Sequence, residues 1–161
     1  MVIWIMGLSG SGKTTLAKLI IKKLKKDIIH IDGDAIRNVY NDKLKHSIKD
    51  REINARRISK LVKYLSDQKK DLVVSVLSNF PRWLKWNKKN LKKFFLVYIK
   101  TDKPILAKRK PRLYNKKIKN VVGVDIEFNE PLNPDYIIDN CLTLKELSKE
   151  ANKIIKKVKQ H

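Results

Sequence analysis

An unbroken apolar run at residues 2–6, Val-Ile-Trp-Ile-Met, opens directly into Gly7-Leu8-Ser9-Gly10-Ser11-Gly12-Lys13-Thr14, and Leu16, Leu19, Ile20 and Leu24 follow at helical spacing. A continuous apolar run is the pattern of a strand buried on both faces of a parallel sheet. The eight residues after it match G-x-x-x-x-G-K-[ST] between a strand and a helix, the context this pattern requires. The chemistry needs small residues so that successive backbone N–H groups can curl around phosphate oxygens. Lys13 would reach the outer phosphates, and Thr14 would hold Mg2+. The full match in its proper context favours a nucleoside triphosphate site over an ordinary glycine-rich turn.

The same alternation continues along the 161 residues. Residues 27–31, 72–77 and 94–99 read as further buried strands, and 136–138 as a short one. Helical patterns cover 35–40, 50–70 (core stripe Ile58, Leu61, Val62, Leu65) and a terminal helix marked by Leu144, Leu147, Ala151, Ile154, Ile155 and Val158. Residues 103–108 also read as helical. Residues 111–131 have no regular period and read as a functional loop or lid. Strands alternating with helices imply right-handed βαβ units and an α/β fold in three layers, a parallel sheet covered on both faces. A length near 160 residues is one domain's worth, 1–161, with a short lid at about 110–131. Ligands bind beyond the carboxyl ends of such strands, and the polar motifs fall there, after strands one, two and three.

Charge and composition narrow the classes. Thirty-eight basic residues against sixteen acidic give a formal net charge of +22, and only seven of the basic residues are arginine. Such an excess raises anion affinity everywhere and supports weak nucleic-acid binding. The lysines are scattered and no nucleic-acid motif accompanies them, so solvated helix faces are the preferred reading and nucleic acid is not the expected partner. The rare arginines are more telling: Arg37, Arg51, Arg57, Arg109 and Arg112 are candidates for work that needs a rigid two-pronged donor. No apolar run approaches the ~20 residues of a membrane span. Residues 2–6 have no basic segment before them, so no secretory signal is read. The one cysteine, Cys141, leaves no internal disulfide and fits a reducing compartment, so a cytoplasmic protein is expected. It reads as a small buried apolar side chain or a bystander, and no Cys/His metal site is expected.

The reaction class comes from what surrounds the phosphate turn. Strand three leads to Ser78, not to the Asp of a motor-type ATPase, and nothing resembles a GTPase base-recognition motif. A small-molecule or nucleotide kinase fits this size, supplying positioning and charge rather than covalent chemistry. Asp34 and Arg37 share a face of a starting helix. A carboxylate there orients or deprotonates an attacking hydroxyl, and the Arg holds an anion; the plainer alternative is an N-cap Asp with a surface Arg. Arg51, Asn54 and Arg57 recur every three residues near the start of the longest helix, a polar stripe read as contacting ligand. Asp32 either meets Mg2+ through water or merely stabilises the strand–helix turn. Trp83 and Trp86 are expected to pack against the sheet, and Trp4 to lie in the core.

As an ordered set these motifs resemble the adenylyl-sulfate kinase family over nearly the whole chain. They are the Gly7–Ala17 loop, Asp32-Gly33-Asp34 with Arg37, Ser47-x-x-Asp50-Arg51-x-x-Asn54-x-x-Arg57, Ser75-x-x-Ser78, Arg109 with Leu113-Tyr114, Gly123-x-Asp125, and Glu130-Pro131 before Pro134. The resemblance implies a P-loop fold with a five-stranded parallel sheet. It implies transfer of the γ-phosphoryl of Mg·ATP to the 3′-hydroxyl of a nucleotide ribose. ATP would be held by Gly7, Leu8, Ser9, Gly10, Ser11, Gly12, Lys13, Thr14 and Thr15, with Arg109 beside it. Lys13 and Asp34 would be catalytic. Arg37, Arg51 and Asn54 would hold the acceptor, with Arg57 and Arg112 also at that site. Family descriptions make the residue matching Ser78 a phosphoserine intermediate; in-line transfer to a bound hydroxyl needs no covalent step, so a hydrogen-bonding role is expected. Family members often form dimers, and no interface is legible here.

The departures concern the acceptor. The family's two aromatic residues that sandwich adenine are replaced by His46 and Val121, the segment after Tyr114 is several residues short, and the Pro after Ser78 is Asn79. Stacking is worth ~1–3 kcal/mol per base, so purine recognition is weakened or redirected. Two acceptors remain: adenylyl sulfate, or the cytidine diphosphoramidate used by a capsule-building branch. Two other classes compete with a kinase: a basic P-loop protein binding nucleic acid, and an inactive nucleotide-binding module.

Overall fold

The strand that the apolar run builds, β1 (Val2–Gly7), is buried along its whole length. It pairs in parallel with β3 (Asp71–Val76) on one side and β4 (Phe94–Lys100) on the other. β2 (Ile28–Asp32) adds to β3 and β5 (Tyr136–Asp139) to β4, all parallel, in the order β2-β3-β1-β4-β5. The computed structural model describes residues 1–24, 27–40, 44–115, 118–139 and 143–161; Cys141 lies outside them.

Alternate residues of β1 serve opposite layers, because side chains change face at every step along a strand. Ile3 and Ile5 pack with Leu16, Ala17 and Ile20 of α1 (Lys13–Leu24) and with Leu147, Ala151 and Ile154 of α7 (Leu144–Gln160). Val2, Trp4 and Met6 pack with Ile58 and Val62 of α3 (Ile48–Asp67), and Leu84 of α4 (Pro81–Asn90) joins them. The α/β reading, the three layers and the five parallel strands therefore stand. Among the described residues no helix is long and apolar enough to cross a membrane.

Several boundaries move, each for a local reason. α2 (Gly33–Val39) starts two residues before the expected Ala35, because Asp32 caps it. α3 starts at Ile48 rather than Asp50, since the Ser47 hydroxyl accepts from Asp50 N. It stops at Asp67, three residues before the expected end, and the chain turns through Lys69 at φ 60°. α5 (Lys103–Arg109) runs one residue beyond its expected end. The segment read as wholly irregular opens with a short helix, α6 (Pro111–Tyr114), whose Pro at the first position costs no hydrogen bond.

Leu16 is fully buried under the sheet. Leu16→Ala should lower unfolding free energy by about 2–5 kcal/mol, read as a reduced urea midpoint with unchanged slope.

Candidate active site

The glycine-rich turn leaves β1 where nothing larger fits. A Cβ on Gly7 would stand 2.6 Å from Ile99 O and 2.8 Å from Ser11 Oγ. Gly12 holds φ +98° just before α1, a conformation glycine adopts without strain. Lys13 is curled into this turn, its Nζ donating to Leu8 O at 2.8 Å. Burial pushes the ammonium down to about 8, against the opposing pull of Asp34 and Asp32. The pocket thus holds a cation whose charge a bound anion would stabilise.

Asp32 ties the turn to the neighbouring strands. Its Oδ2 accepts from the Thr14 hydroxyl at 2.9 Å and from the Ser75 hydroxyl at 2.9 Å. Its Oδ1 accepts from Asp34 N at 3.0 Å and Ala35 N at 3.4 Å. Burial works to raise its pKa, but the bonds from Ser75, Thr14 and the two backbone amides bring it below the ordinary carboxylate value. Asp32 therefore stabilises the strand–helix turn, as the plainer reading expected, by capping α2, and it also orients Thr14. Because Thr14 gives its only proton to Asp32, its lone pairs are left for a cation. A hydroxyl with free lone pairs beside a carboxylate fits Mg2+, which takes few protein oxygens and completes its shell with phosphates and water.

Asp34 is released from capping by its neighbour. Its side chain is 89% exposed, and Oδ1 accepts from Arg37 Nη1 at 3.1 Å. Arg37 also reaches His46 Nδ1 at 3.4 Å, while its buried Nε has no partner. Burial, then the cations of Arg37 and Arg51, lower the His46 pKa, so its ring is neutral at pH 7. Arg51 donates to His46 O and to Asn120 O, both at 2.9 Å, joining α3 to the segment after α6. Asn54 donates to Gly33 O at 3.0 Å, leaving its buried Oδ1 unpartnered. Ser78, at φ 55°, accepts from the Trp4 indole N–H at 3.2 Å.

These side chains line one cavity of about 520 Å³ at the carboxyl ends of β1, β2 and β3, a volume suited to small-molecule ligands. Ser9, Gly10, Gly12, Lys13, Thr14, Thr15 and Arg109 form one end of its wall, and Asp32, Asp34, Arg37, His46, Arg51, Asn54, Ser78 and Val121 continue it. Gly7, Leu8 and Ser11 shape the turn from behind. Two of the arginines stand elsewhere. Arg57 lies over the Tyr40 ring at 4.4 Å, and Arg112 is on the exposed side of α6. A three-residue step advances a helix by 300°, so the Arg51–Asn54–Arg57 stripe rotates off the cavity as it climbs α3.

Other contacts had weaker signals. Tyr114 donates to Ser9 O at 2.8 Å and Arg109 to Gly10 O at 3.3 Å, which brings the segment after α5 onto the glycine-rich turn. Asn79 donates to Glu127 O at 2.9 Å, while its own Oδ1 accepts from Asn129 N at 2.8 Å. Trp83, read as a packing residue, meets Trp86 edge-on at 5.9 Å and also lines the cavity. Trp4 is core as expected, but its indole N–H serves the site.

A family model described as adenylylsulphate kinase matches residues 1–139. The chain belongs to the adenylylsulphate kinase family. It is therefore an ATP-dependent phosphotransferase. The cytidine diphosphoramidate kinase of Campylobacter jejuni is 38% identical, the match covering 98% of this chain and 95% of that one. A probable adenylyl-sulfate kinase of Archaeoglobus fulgidus is 36% identical over 86% of this chain and 94% of its own. Among solved structures, the Mycobacterium tuberculosis APS kinase in complex with AMPPNP and APS superposes with a TM-score of 0.83 at 30% identity, 96% of each chain being covered.

Lys13 gives this kinase a pH signature. With Lys13 as a phosphate ligand the ammonium is the binding form, so ATP affinity should be full below the free-state value of about 8. Above that pH it should fall by up to tenfold per unit. Calorimetric titration from pH 6.5 to 9.5 reads this directly, and Lys13→Ala should abolish both the pH slope and phosphoryl transfer.

Proposed function

We propose that this kinase transfers the γ-phosphoryl group of ATP to the ribose 3′-hydroxyl of cytidine diphosphoramidate. The observation that carries the acceptor is the composition of the cavity wall. His46, with its neutral ring, and Val121, 4% exposed, both line the cavity at the positions where the family pattern has an aromatic pair. A pyrimidine needs less stacking surface than adenine. The Campylobacter jejuni kinase, alike over almost the full length of both chains, supports the same acceptor. The retained Arg37, Arg51 and Asn54 and the Archaeoglobus fulgidus relative keep adenylyl sulfate as the second reading.

In this mechanism Lys13 and the turn's amides hold the donor's outer phosphates, and the acceptor's anionic end lies against Arg37 and Arg51. Asp34, free of any capping duty, accepts the 3′-hydroxyl proton as that oxygen attacks the γ-phosphorus and the bond to the β-phosphate oxygen breaks. Mg2+ held with ATP at Thr14 would neutralise charge on the phosphate oxygens. Ser78 has the Trp4 indole as its partner, an arrangement that suits hydrogen bonding to the acceptor rather than nucleophilic attack. Residues 110–131 act as the lid of one kinase domain, since Arg51 and Tyr114 tie this stretch to both ends of the cavity. Such chemistry belongs in the cytoplasm, where Mg·ATP is plentiful.

The test offers ATP and Mg2+ with adenylyl sulfate, cytidine diphosphoramidate and plain nucleoside mono- and diphosphates, and follows product by mass. The cytidine compound should be preferred; turnover of adenylyl sulfate alone would reject this acceptor. Asp34→Asn should remove transfer while ATP affinity stays within about twofold, because the residue faces the acceptor. Installing Phe at positions 46 and 121 together should raise affinity for adenylyl sulfate at least about fivefold, the equivalent of ~1 kcal/mol of stacking.

A further inference from the structure

The carboxylate that orients Thr14 is itself held by a chain of side chains that begins away from the cavity wall. His30 and Asp32 lie two apart on β2 and so share one face of the sheet. Ser75 is the β3 residue in register with Asp32. Ser75 Oγ lies 2.9 Å from His30 Nε2 and 2.9 Å from Asp32 Oδ2. The proton placement follows by elimination. An ionised carboxylate only accepts, and a serine hydroxyl has one proton. Ser75 therefore gives its proton to Asp32, and His30 Nε2 must carry a proton that it gives to Ser75. Asp32 Oδ2 then receives Thr14 as well.

We propose that His30 is a positioning residue: through Ser75 it fixes the Asp32 carboxylate, and through Asp32 it directs the lone pairs of Thr14 toward the metal that accompanies ATP. The inference rests on the ATP-dependent kinase reading and is independent of the acceptor. Without the His30 donor, the Ser75 hydroxyl, which lines the cavity, is free to rotate, and Asp32 loses a fixed partner. The cost falls on metal-assisted nucleotide binding, because the backbone amides that hold phosphate lie in the turn itself and do not pass through Ser75. Histidine is suited to the task because its rigid ring carries the N–H across the strand, a reach that the amide of glutamine also has.

The test is calorimetric titration of ATP into the wild-type protein, His30→Leu and His30→Gln, each with Mg2+ and with EDTA. Mn2+ binding followed by electron paramagnetic resonance is a second readout. His30→Leu should lose about fivefold of the affinity that the metal adds, the scale of one net hydrogen bond, and leave metal-free affinity within twofold. His30→Gln should recover most of the loss. In a Ser75→Ala background His30→Leu should add nothing, since the chain is already cut. The proposal is overturned if His30→Leu leaves the metal-dependent gain intact. It is equally overturned by losses of the same size with and without metal, or by effects that add in the Ser75→Ala background. A wild-type protein that binds no ATP under either condition would instead reject the kinase reading beneath it.

Discussion

The site rests on one carboxylate. Asp32 accepts four hydrogen bonds from three elements: Thr14 on α1, Ser75 on β3, and the first amides of α2. A carboxylate offers about four lone-pair positions, so it is saturated. That saturation fixes where α1 stands relative to α2. It also spares Asp34 from capping, so the second acidic residue of the Asp-Gly-Asp sequence lines the cavity, paired with Arg37. Two like residues two positions apart thus take different roles because only one of them sits at the helix boundary.

Around that anchor, the rest of the cavity wall is assembled from parts far apart in sequence. Arg51 on α3 reaches the carbonyl of Asn120. Asp125 accepts from the amides of Asn120 and Val121, closing a tight loop, and Val122 bridges to Ile126 within it. Asn79 binds the stretch at Glu127 and Asn129 from the end of β3. An asparagine can do this where a proline, lacking both a side-chain amide and a backbone N–H, cannot. The shortened segment is therefore fastened at its two ends, at α6 by Tyr114 and at its far side by Asn79.

The phosphate turn and the alternation of strands and helices were legible because both are local. The turn demands glycine at fixed offsets, and each strand's buried run is continuous in sequence. The direction of the arginine stripe was not legible beyond its first two members, since the 60° rotation per three-residue step becomes visible only against a real wall. Which aspartate caps α2 was equally hidden, because it depends on where the helix begins, and glycine gave no sign that it would begin at Gly33. Asn79 stood out only as a departure from a pattern; its partners lie 48 and 50 residues away. The pairing of Ser75 with Asp32 needed the strand register, which no single stretch of sequence contains.

The sheet also separates two parts of the cavity wall. α1, which carries Lys13 and Thr14, packs against Ile3 and Ile5, whereas α3, which carries Arg51 and Asn54, packs against Trp4 and Met6 on the opposite side. The two cores lie on opposite faces of the sheet, because alternate residues of its strands point to opposite layers. A lineage built on this plan can thus exchange one substrate for another by remodelling a single layer, keeping the fuel-handling half untouched while the recipient changes.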